Sequence, residues 1–240
     1  MDITVCIPMY NESAVIEKTA KELQKYMTGT FGEGSFEIIF SDDGSRDGSY
    51  DIVNSLALDG VRCIRTEQNF GKGSAVRHAM LEAHGDMVMF TDADLAYGTD
   101  VIKGYYDYMK EHPEADVLIG SRTLHPDGYD GYTFARKLAS KAYIKVLNLV
   151  GGFKLSDSQC GCKAFRLHAA KKIFSNASVN RFAFDFEAIL LAEKLGYDIH
   201  EFPVKVINHG ESKVNVLRDS FKMLSDLRKL KKRIKKMEIK

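Results

Sequence analysis

The sequence alternates short β-rich runs with helical stretches from its first residues, and this alternation limits the possible folds more than any other feature. Strands are predicted at residues 3–8, 36–41, 61–65, 87–91 and 116–120, and helices between them at 13–27, 49–58, 73–84 and 101–111. This pattern is typical of an α/β fold, in which helices flank a mostly parallel sheet. Ligands of such folds bind at the carboxyl ends of the strands, so the residues that follow each strand are the candidates for function.

Four of the predicted strands are followed by segments rich in polar residues and glycine. These segments are Met9-Tyr10-Asn11-Glu12, Asp42-Asp43-Gly44-Ser45, Asn69-Phe70-Gly71-Lys72-Gly73 and Asp92-Ala93-Asp94. Because parallel strands end at one edge of a sheet, the four segments are expected to converge on one site. No repeat or linker divides the less regular second half from the first, so residues 1–212 are predicted to form one domain.

Asp92 and Asp94 are the first candidate metal ligands. They flank one small residue after the apolar run 88–90, which places two carboxylates at the end of a buried strand. Hard carboxylate oxygens suit Mg²⁺ or Mn²⁺, which also bind substrate phosphates. Capping of the following helix is the alternative role, but the acidic segments on neighbouring strands favour the metal.

Lys72 and the Asp42-Asp43 pair are candidates for contact with a nucleotide. Gly71-Lys72-Gly73 precedes a predicted helix, so one cation and free helix amides are available to phosphate oxygens, although the P-loop spacing is absent. The carboxylates of Asp42 and Asp43 are able to accept hydrogen bonds from a base or a ribose. Ordinary turns remain the alternative for both segments.

Charge is divided unevenly along the 240 residues. The net charge is +1, but residues 213–240 carry 11 Lys/Arg against 3 Asp/Glu, which leaves the rest at −7. An acidic body argues against nucleic acid as a partner. The four cysteines lack a disulfide or zinc spacing, no apolar run reaches the roughly 18 residues of a membrane span, and no positive leader precedes the first strand. A cytoplasmic protein is expected.

The basic segment 213–240 is predicted to be an amphipathic helix. Its apolar residues recur at intervals of three and four, and they are Leu217, Phe221, Leu224, Leu227, Leu230, Ile234 and Met237. Such a helix is able to lie in a lipid interface, which predicts a peripheral protein at the cytoplasmic membrane face, and removal of the chain after Leu227 is then expected to leave the body folded. A helix docked on the core and ending in a solvated basic run is the alternative.

Taken together, the four segments resemble those of family 2 glycosyltransferases with the GT-A fold. The matching motifs are Pro8-Met9-Tyr10-Asn11-Glu12, Asp42-Asp43-Gly44-Ser45-Arg46-Asp47-Gly48, Asn69-Phe70-Gly71-Lys72-Gly73 and Asp92-Ala93-Asp94. The resemblance implies a Rossmann-like GT-A domain and a nucleotide diphosphate sugar as substrate. It also implies the site: Pro8, Tyr10, Glu12 and Asp42 or Asp43 hold the nucleoside, Lys72 lies near it, and Asp92 with Asp94 serve ribose and metal.

The second half resembles the polyprenyl-phosphate (dolichyl-phosphate) branch of that family. The segments concerned are Gly120-Ser121-Arg122, Arg136-Lys137, Asp157-x-Gln159-Cys160-Gly161-x-Lys163 and Phe184-Asp185-x-Glu187. The resemblance implies that Arg122 and Arg136 clamp the phosphate of a polyprenyl-phosphate acceptor, which suits guanidinium groups. One departure is residues 95–100, which lack the Gln and Pro common in mannosyl-transferring relatives and leave a third metal ligand and the sugar open.

The nature of the acceptor decides whether a general base is needed. A phosphate monoester has a second pKa near 6 and is already largely anionic at neutral pH. A sugar hydroxyl on a polysaccharide or glycolipid requires a base, for which Asp157, Asp185 and Glu187 are the candidates. The expected function is inverting transfer of a hexose, glucose from UDP-glucose, to polyprenyl phosphate. The hydroxyl acceptor and a nucleotide-binding regulatory module without turnover remain the alternatives.

Overall fold

A computed structural model of the chain describes residues 1–181, 183–208 and 216–238, without the side chains of 135, 136 and 216–223. The strands are β1 Ile3–Met9, β2 Phe36–Asp42, β3 Val61–Arg65, β4 Met87–Phe90, β5 Val117–Ser121, β6 Lys163–Arg166 and β7 Ile199–Pro203. The helices are α1 Ile16–Phe31, α2 Ser49–Ser55, α3 Lys72–Glu82, α4 Asp100–Glu111, α5 Phe134–Gly151, α6 Leu167–Asn176, α7 Phe184–Leu195 and α8 Val216–Lys236.

One sheet holds the seven strands, in the order β3-β2-β1-β4-β6-β5-β7. All neighbours are parallel except β6, which runs antiparallel between β4 and β5. The start of β6 therefore lies at the same edge as the ends of β4 and β5, and the loop before β6 joins the strand ends. The predicted mostly parallel α/β sheet is confirmed; β6, β7 and α6 were not predicted.

Alternating side chains of the strands fill two apolar layers, one on each face of the sheet. In β1, Ile3, Val5 and Ile7 pack on the side of α1 and α4, whereas Cys6 faces α3 and α6. All the residues of β1 and β2 are buried, as expected of central strands covered by helices on both faces. The buried layers hold the strand ends, and with them the polar segments, in fixed positions.

The C-terminal helix α8 packs against the body through its apolar stripe. Leu227, Leu230 and Ile234 are buried in the same apolar cluster as residues of α7. Arg233 forms an ion pair with Glu187, and the Lys194 Nζ donates to the Ile234 carbonyl at 2.6 Å. The docked alternative thus describes this part of the tail. Deletion of the residues after Leu227 would also remove the buried Leu230 and Ile234, so the expectation that the body folds without them stays an untested prediction and the packing of α8 argues against it.

Two other expectations about the tail fall outside the described residues. The proposed domain boundary at 212/213 lies in the segment 209–215, and the side chains of Leu217 and Phe221 are among those not described.

No helix in the described parts of the chain is both long and apolar enough to cross a bilayer.

We expect Ile234→Ala to destabilise the protein by about 2–5 kcal/mol, the usual cost of a truncated core aliphatic side chain. Ile234 is 3% exposed, whereas its neighbour Lys235 points to solvent. Lys235→Ala is the matched control and should stay within about 0.5 kcal/mol. Urea unfolding of the two variants and the parent measures both, and equal midpoints for all three would show that α8 is not part of the core.

Candidate active site

The two aspartates of the Asp92-Ala93-Asp94 segment lie directly beyond β4, at the carboxyl edge of the sheet. Ala93 is buried, and its carbonyl accepts a hydrogen bond from the Thr19 hydroxyl at 2.7 Å. Leu95, next in the chain, has a φ of +48°, a strained value for a bulky residue. The side-chain amide of Asn208 donates to the Asp94 carbonyl at 3.0 Å. The segment is therefore held in a specific shape from two sides.

Lys72 joins this segment from the first turn of α3. Its ammonium forms an ion pair with Asp92 Oδ1. Burial lowers the pKa of the Lys72 ammonium, but Asp92 first, and then Asp185 and Asp94, raise it above its ordinary value overall. The carboxylates of Asp92, Asp94 and Asp185 therefore all favour the charged form of Lys72. We call Lys72, Asp92 and Asp94 the Lys72 group.

Asp94 is the carboxylate of this group that faces solvent. Desolvation by the surrounding protein and the charge of Asp92 both raise the pKa of Asp94. A cation bound between the two carboxylates would relieve their repulsion, and hard oxygen donors suit Mg²⁺ or Mn²⁺. No group of three or more His, Cys, Asp or Glu side chains in the described parts is placed to hold a metal alone. Two carboxylates completed by substrate phosphates fit such an ion.

Asp185 is tied into the site by a buried lysine. Lys163, at the start of β6, is fully buried and donates to Asp185 Oδ1 and to the Cys160 carbonyl, both at 2.6 Å. Asp185 belongs to the first turn of α7, so this ion pair fixes α7 against the sheet edge. Because Lys163 pairs with Phe90, the last residue of β4, the structure brings Asp185 close to the segment that carries Asp92 and Asp94.

The residues expected to hold the nucleoside lie at the ends of β1 and β2. Pro8 is buried within β1, and the ring of Tyr10 is 41% exposed beyond it. Asn11 adopts a φ of +53°, and its side chain accepts from the Arg46 amide. The Glu12 amide donates to the Ser49 hydroxyl at 2.9 Å. These hydrogen bonds hold the loop that carries Tyr10 and Glu12.

Asp42 and Asp43 are buried and already serve the protein itself. Asp42 accepts from the amide and hydroxyl of Ser45 and pairs with the Arg65 Nε at 3.1 Å. Asp43 accepts from the backbone amides of Phe70 and Gly71, at 3.0 and 2.7 Å. Both carboxylates therefore shape the loops after β2 and before α3, and their proposed contact with a nucleoside stays a prediction.

Arg122, expected to bind an acceptor phosphate, forms a bidentate ion pair with Asp157. Its Nε and a terminal nitrogen donate to the two Asp157 oxygens at 2.6 and 2.9 Å. Asp157 is fully buried, and Glu201 accepts from its backbone amide. With both oxygens bound to Arg122, Asp157 is a positioning residue for that guanidinium rather than a free base. The side chain of Arg136, the other proposed clamp, lies outside the described residues.

Glu187 is also buried and engaged. Its oxygens accept from the backbone amides of Ser178 and Val179 at 2.7–3.0 Å and from Arg233 of α8. The structure therefore uses Glu187 to join α7, the 178–179 loop and α8. Of the three carboxylates considered as general bases, only Asp185 lies beside the Lys72 group.

The sequence model of glycosyl transferase family 2 matches residues 4–174, a range that begins at the second residue of β1, extends beyond β6 and includes Lys72, Asp92 and Asp94. The chain belongs to this family. The expectation of a glycosyltransferase is thereby confirmed.

Relatives with similar sequences extend over most of this family 2 chain. Dolichyl-phosphate beta-glucosyltransferase ALG5C of Trichomonas vaginalis is 31% identical over 235 residues, 93% of this chain and 69% of that protein. Glycosyltransferase AglD of Haloferax volcanii is 29% identical over 229 residues, 95% of this chain. This chain spans only 36% of AglD.

Solved structures confirm the fold of the family 2 domain. Glucosyl-3-phosphoglycerate synthase from Mycobacterium tuberculosis, in complex with Mn²⁺, UDP and glucosyl-3-phosphoglycerate, superimposes with a TM-score of 0.69. The alignment covers 95% of this chain and 80% of that one at 18% identity. The predicted GT-A architecture is thereby confirmed.

Several residues of the family 2 site were not singled out by the sequence. Lys163 and Gly161 lie in a segment noted for its resemblance, but nothing in that segment assigned them a partner. Tyr97 accepts from the Gly161 amide at 3.1 Å, and Asn208 holds the Asp94 loop, although each stands far from its partner in the sequence. Only the fold brings these pairs together.

Gly161 offers a test of how closely the site is packed. A Cβ at this position would lie 2.7 Å from Asp92 Oδ2, so the carboxylate would have to move. We expect Gly161→Ala to lower glycosyl transfer by about 10- to 100-fold with little loss of stability, because small misplacements of site groups are costly. Steady-state rates and unfolding midpoints measure this. Gly29→Ala, where a Cβ meets nothing within 4 Å, is the control.

Proposed function

We propose that this protein transfers glucose from UDP-glucose to a polyprenyl phosphate in a metal-dependent single displacement that inverts the anomeric centre. One observation carries the proposal: the Lys72–Asp92 ion pair lies beyond the end of β4, with Asp94 two residues further along the chain and Asp185 held there by Lys163, the residue of β6 that pairs with Phe90. The likeness to dolichyl-phosphate beta-glucosyltransferases over more than nine-tenths of the chain supports the choice of sugar and acceptor.

The donor is proposed to lie along the strand ends. Tyr10 and Glu12 lie beside the nucleoside, and the Lys72 ammonium at the start of α3 faces the diphosphate. Asp94, with Asp92, would hold Mg²⁺ or Mn²⁺. When bound, the ion neutralises negative charge on the diphosphate as it leaves. Lys72 adds a second positive charge at the same place, and its ion pair with Asp92 keeps its ammonium directed toward the site.

The acceptor is proposed to approach from the β5 side. Asp157 holds the Arg122 guanidinium, which together with Arg136 attracts the acceptor phosphate. A phosphate oxygen attacks the anomeric carbon from the face opposite the departing UDP; the new C–O bond forms as the old one breaks. Because the phosphate is already anionic, no residue must take a proton.

Acceptance of a sugar hydroxyl is the second candidate. In that case Asp185 is the proposed base: Lys163 binds its Oδ1, whereas Arg122 binds both oxygens of Asp157 and Glu187 is enclosed by backbone amides and Arg233. The lipid acceptor further implies that the protein works at the cytoplasmic membrane face, as a peripheral protein.

A thermal-shift panel tests the donor half of the proposal. A ligand that binds only the folded state stabilises it by about 2.7 kcal/mol at a hundred times its Kd. We expect UDP-glucose with Mn²⁺ to raise Tm more than UDP-glucose with EDTA, and more than GDP-mannose or dTDP-glucose with Mn²⁺. Stabilisation by GDP-mannose alone, or by UDP-glucose irrespective of metal, would contradict the assignment.

A further inference from the structure

Helix α5 presents an apolar face to solvent. Phe134 and Leu149 are each 82% exposed, Leu138 is 61% exposed and Val146 is 45% exposed. Phe134 and Leu149 are the most exposed large apolar side chains in the described parts of the chain. The spacings of 4, 8 and 3 residues place all four on one side of the helix, the α5 face, while Ile144 and Leu147 are buried on the other side.

Positive charge surrounds the α5 face. Lys141 and Lys145 are exposed on the same helix, and residues 131–156 contain five Lys/Arg and no Asp or Glu. The neighbouring helix α8 contributes Arg228, Lys229, Lys231, Lys232 and Lys235, all exposed. An exposed apolar stripe with a basic border is the pattern of a helix that lies in a lipid interface. An acidic protein surface would match the charge but would not require the exposed Phe and Leu side chains.

The α5 face also lies next to the proposed acceptor side of the active site. Three cations surround the Tyr129 ring. Its centroid lies 5.4 Å from the Lys141 Nζ, 5.9 Å from the Lys137 Nζ and 5.7 Å from the Arg122 Cζ. The first half of α5 is therefore connected through Tyr129 to Arg122. A membrane under the α5 face would bring a lipid phosphate to the side of the protein where Arg122 lies.

Helix α8 is positioned to support this surface rather than to enter the lipid itself. Its apolar residues Leu227, Leu230 and Ile234 are buried, and the Lys231 Nζ approaches the Val150 carbonyl of α5 at 3.4 Å. The basic side of α8 is thus held beside α5. Segments 131–156 and 213–240 are net positive, and the remainder of the chain carries a net charge of −12. An anionic bilayer would repel that remainder, which orients the protein with α5 and α8 toward the lipid.

We propose that the α5 face, bordered by the basic side of α8, docks this protein onto an anionic lipid bilayer. The inference rests on the proposed function, because a lipid-linked acceptor must be reached at a bilayer. A second copy of the chain is a less suitable occupant, since two such basic surfaces repel one another. Side chains of the α5 face enter the region between headgroups and acyl chains, and the lysines contact the headgroups.

Cosedimentation of the full chain with lipid vesicles tests the proposal. The variant Phe134→Ser/Leu138→Ser/Leu149→Ser changes only exposed side chains, and we expect it to lose more than about tenfold in binding to phosphatidylcholine–phosphatidylserine vesicles. Val15→Ser/Leu81→Ser, which alters exposed apolar residues outside α5, should bind like the parent. Lys145→Glu should weaken binding to these vesicles and leave the weaker binding to pure phosphatidylcholine unchanged.

Three outcomes would overturn the docking surface. The first is that the triple variant and the parent bind vesicles equally, and the second is that the parent binds both lipid compositions equally. The third is that the triple variant binds vesicles normally but changes oligomeric state in light scattering. The last would assign the face to a contact between copies.

Transfer to a short, water-soluble polyprenyl phosphate separates this inference from the proposed function. The triple variant should retain that activity and lose transfer to a long-chain acceptor embedded in vesicles. If the parent transfers glucose to neither acceptor but binds vesicles through α5, the proposed function fails and the docking surface stands. If the variant also keeps its activity on the embedded acceptor, the docking surface fails.

Discussion

Asp94→Ala is expected to lower the rate of glucosyl transfer by about 10²- to 10³-fold, the usual loss when one group that stabilises developing charge is removed. Asp94 faces solvent at the end of β4, and partial desolvation together with the charge of Asp92 raises its pKa. Losing this carboxylate takes away one proposed metal ligand and leaves Asp92 paired with Lys72. The departing diphosphate then meets less positive charge.

The stability of this variant should not change by more than about 0.5 kcal/mol, because the side chain is exposed. Asp59→Ala is the matched control: Asp59 is exposed before β3, at the opposite edge of the sheet, and its loss should not affect transfer. Metal titration gives a second measurement, since the parent should reach full activity at a lower Mn²⁺ concentration than Asp94→Ala. Unchanged activity at limiting Mn²⁺ would remove Asp94 from the site.

Arg122→Met should destabilise the protein by about 3–5 kcal/mol, as expected when a buried ion pair loses one partner. Asp157 is fully buried, and Arg122 is its bidentate partner. The sequence alone predicts an effect on the acceptor only. The structure adds the cost of an uncompensated carboxylate. Urea unfolding should show that Arg122→Met/Asp157→Leu recovers much of the lost stability, because it removes both charges.

The same variants separate a phosphate-binding role from a structural one. If Arg122 contacts the acceptor phosphate, Arg122→Met/Asp157→Leu recovers stability but keeps a high KM for the lipid acceptor, while UDP-glucose affinity stays near that of the parent. Recovery of both stability and acceptor KM would show that Arg122 serves only to neutralise Asp157.

Strands β1 to β4 were predicted well from the sequence because they are rich in apolar and β-branched residues and are followed by glycine or polar turns. β3 was predicted with the bounds Val61–Arg65 that the structure shows. β6 and β7 escaped prediction for physical reasons. β6 has four residues, two of them basic, and it pairs in the opposite direction; β7 contains His200 and Glu201 and ends in Pro203.

The candidate site was predicted in outline, whereas its internal pairing was not. Position after a strand was sufficient to find Lys72, Asp92 and Asp94. The arginine partners of Asp157 and Glu187, Arg122 and Arg233, stand 35 and 46 residues away in the sequence, and no local pattern reports such contacts. Likewise, the apolar stripe of α8 is compatible with lipid or with a protein core, and only the packing of Leu227 against the body decides between them.

The central claim is tested most directly by identifying the product made from UDP-glucose labelled with ¹⁴C in the glucose, with Mn²⁺ and two competing acceptors in one reaction. One acceptor is a polyprenyl phosphate and the other an oligosaccharide with free hydroxyl groups. We predict that the label appears in an acid-labile, β-linked glucosyl polyprenyl phosphate, in amounts that fall to background with EDTA. Label in the oligosaccharide, or an α-linked lipid product, would contradict the account.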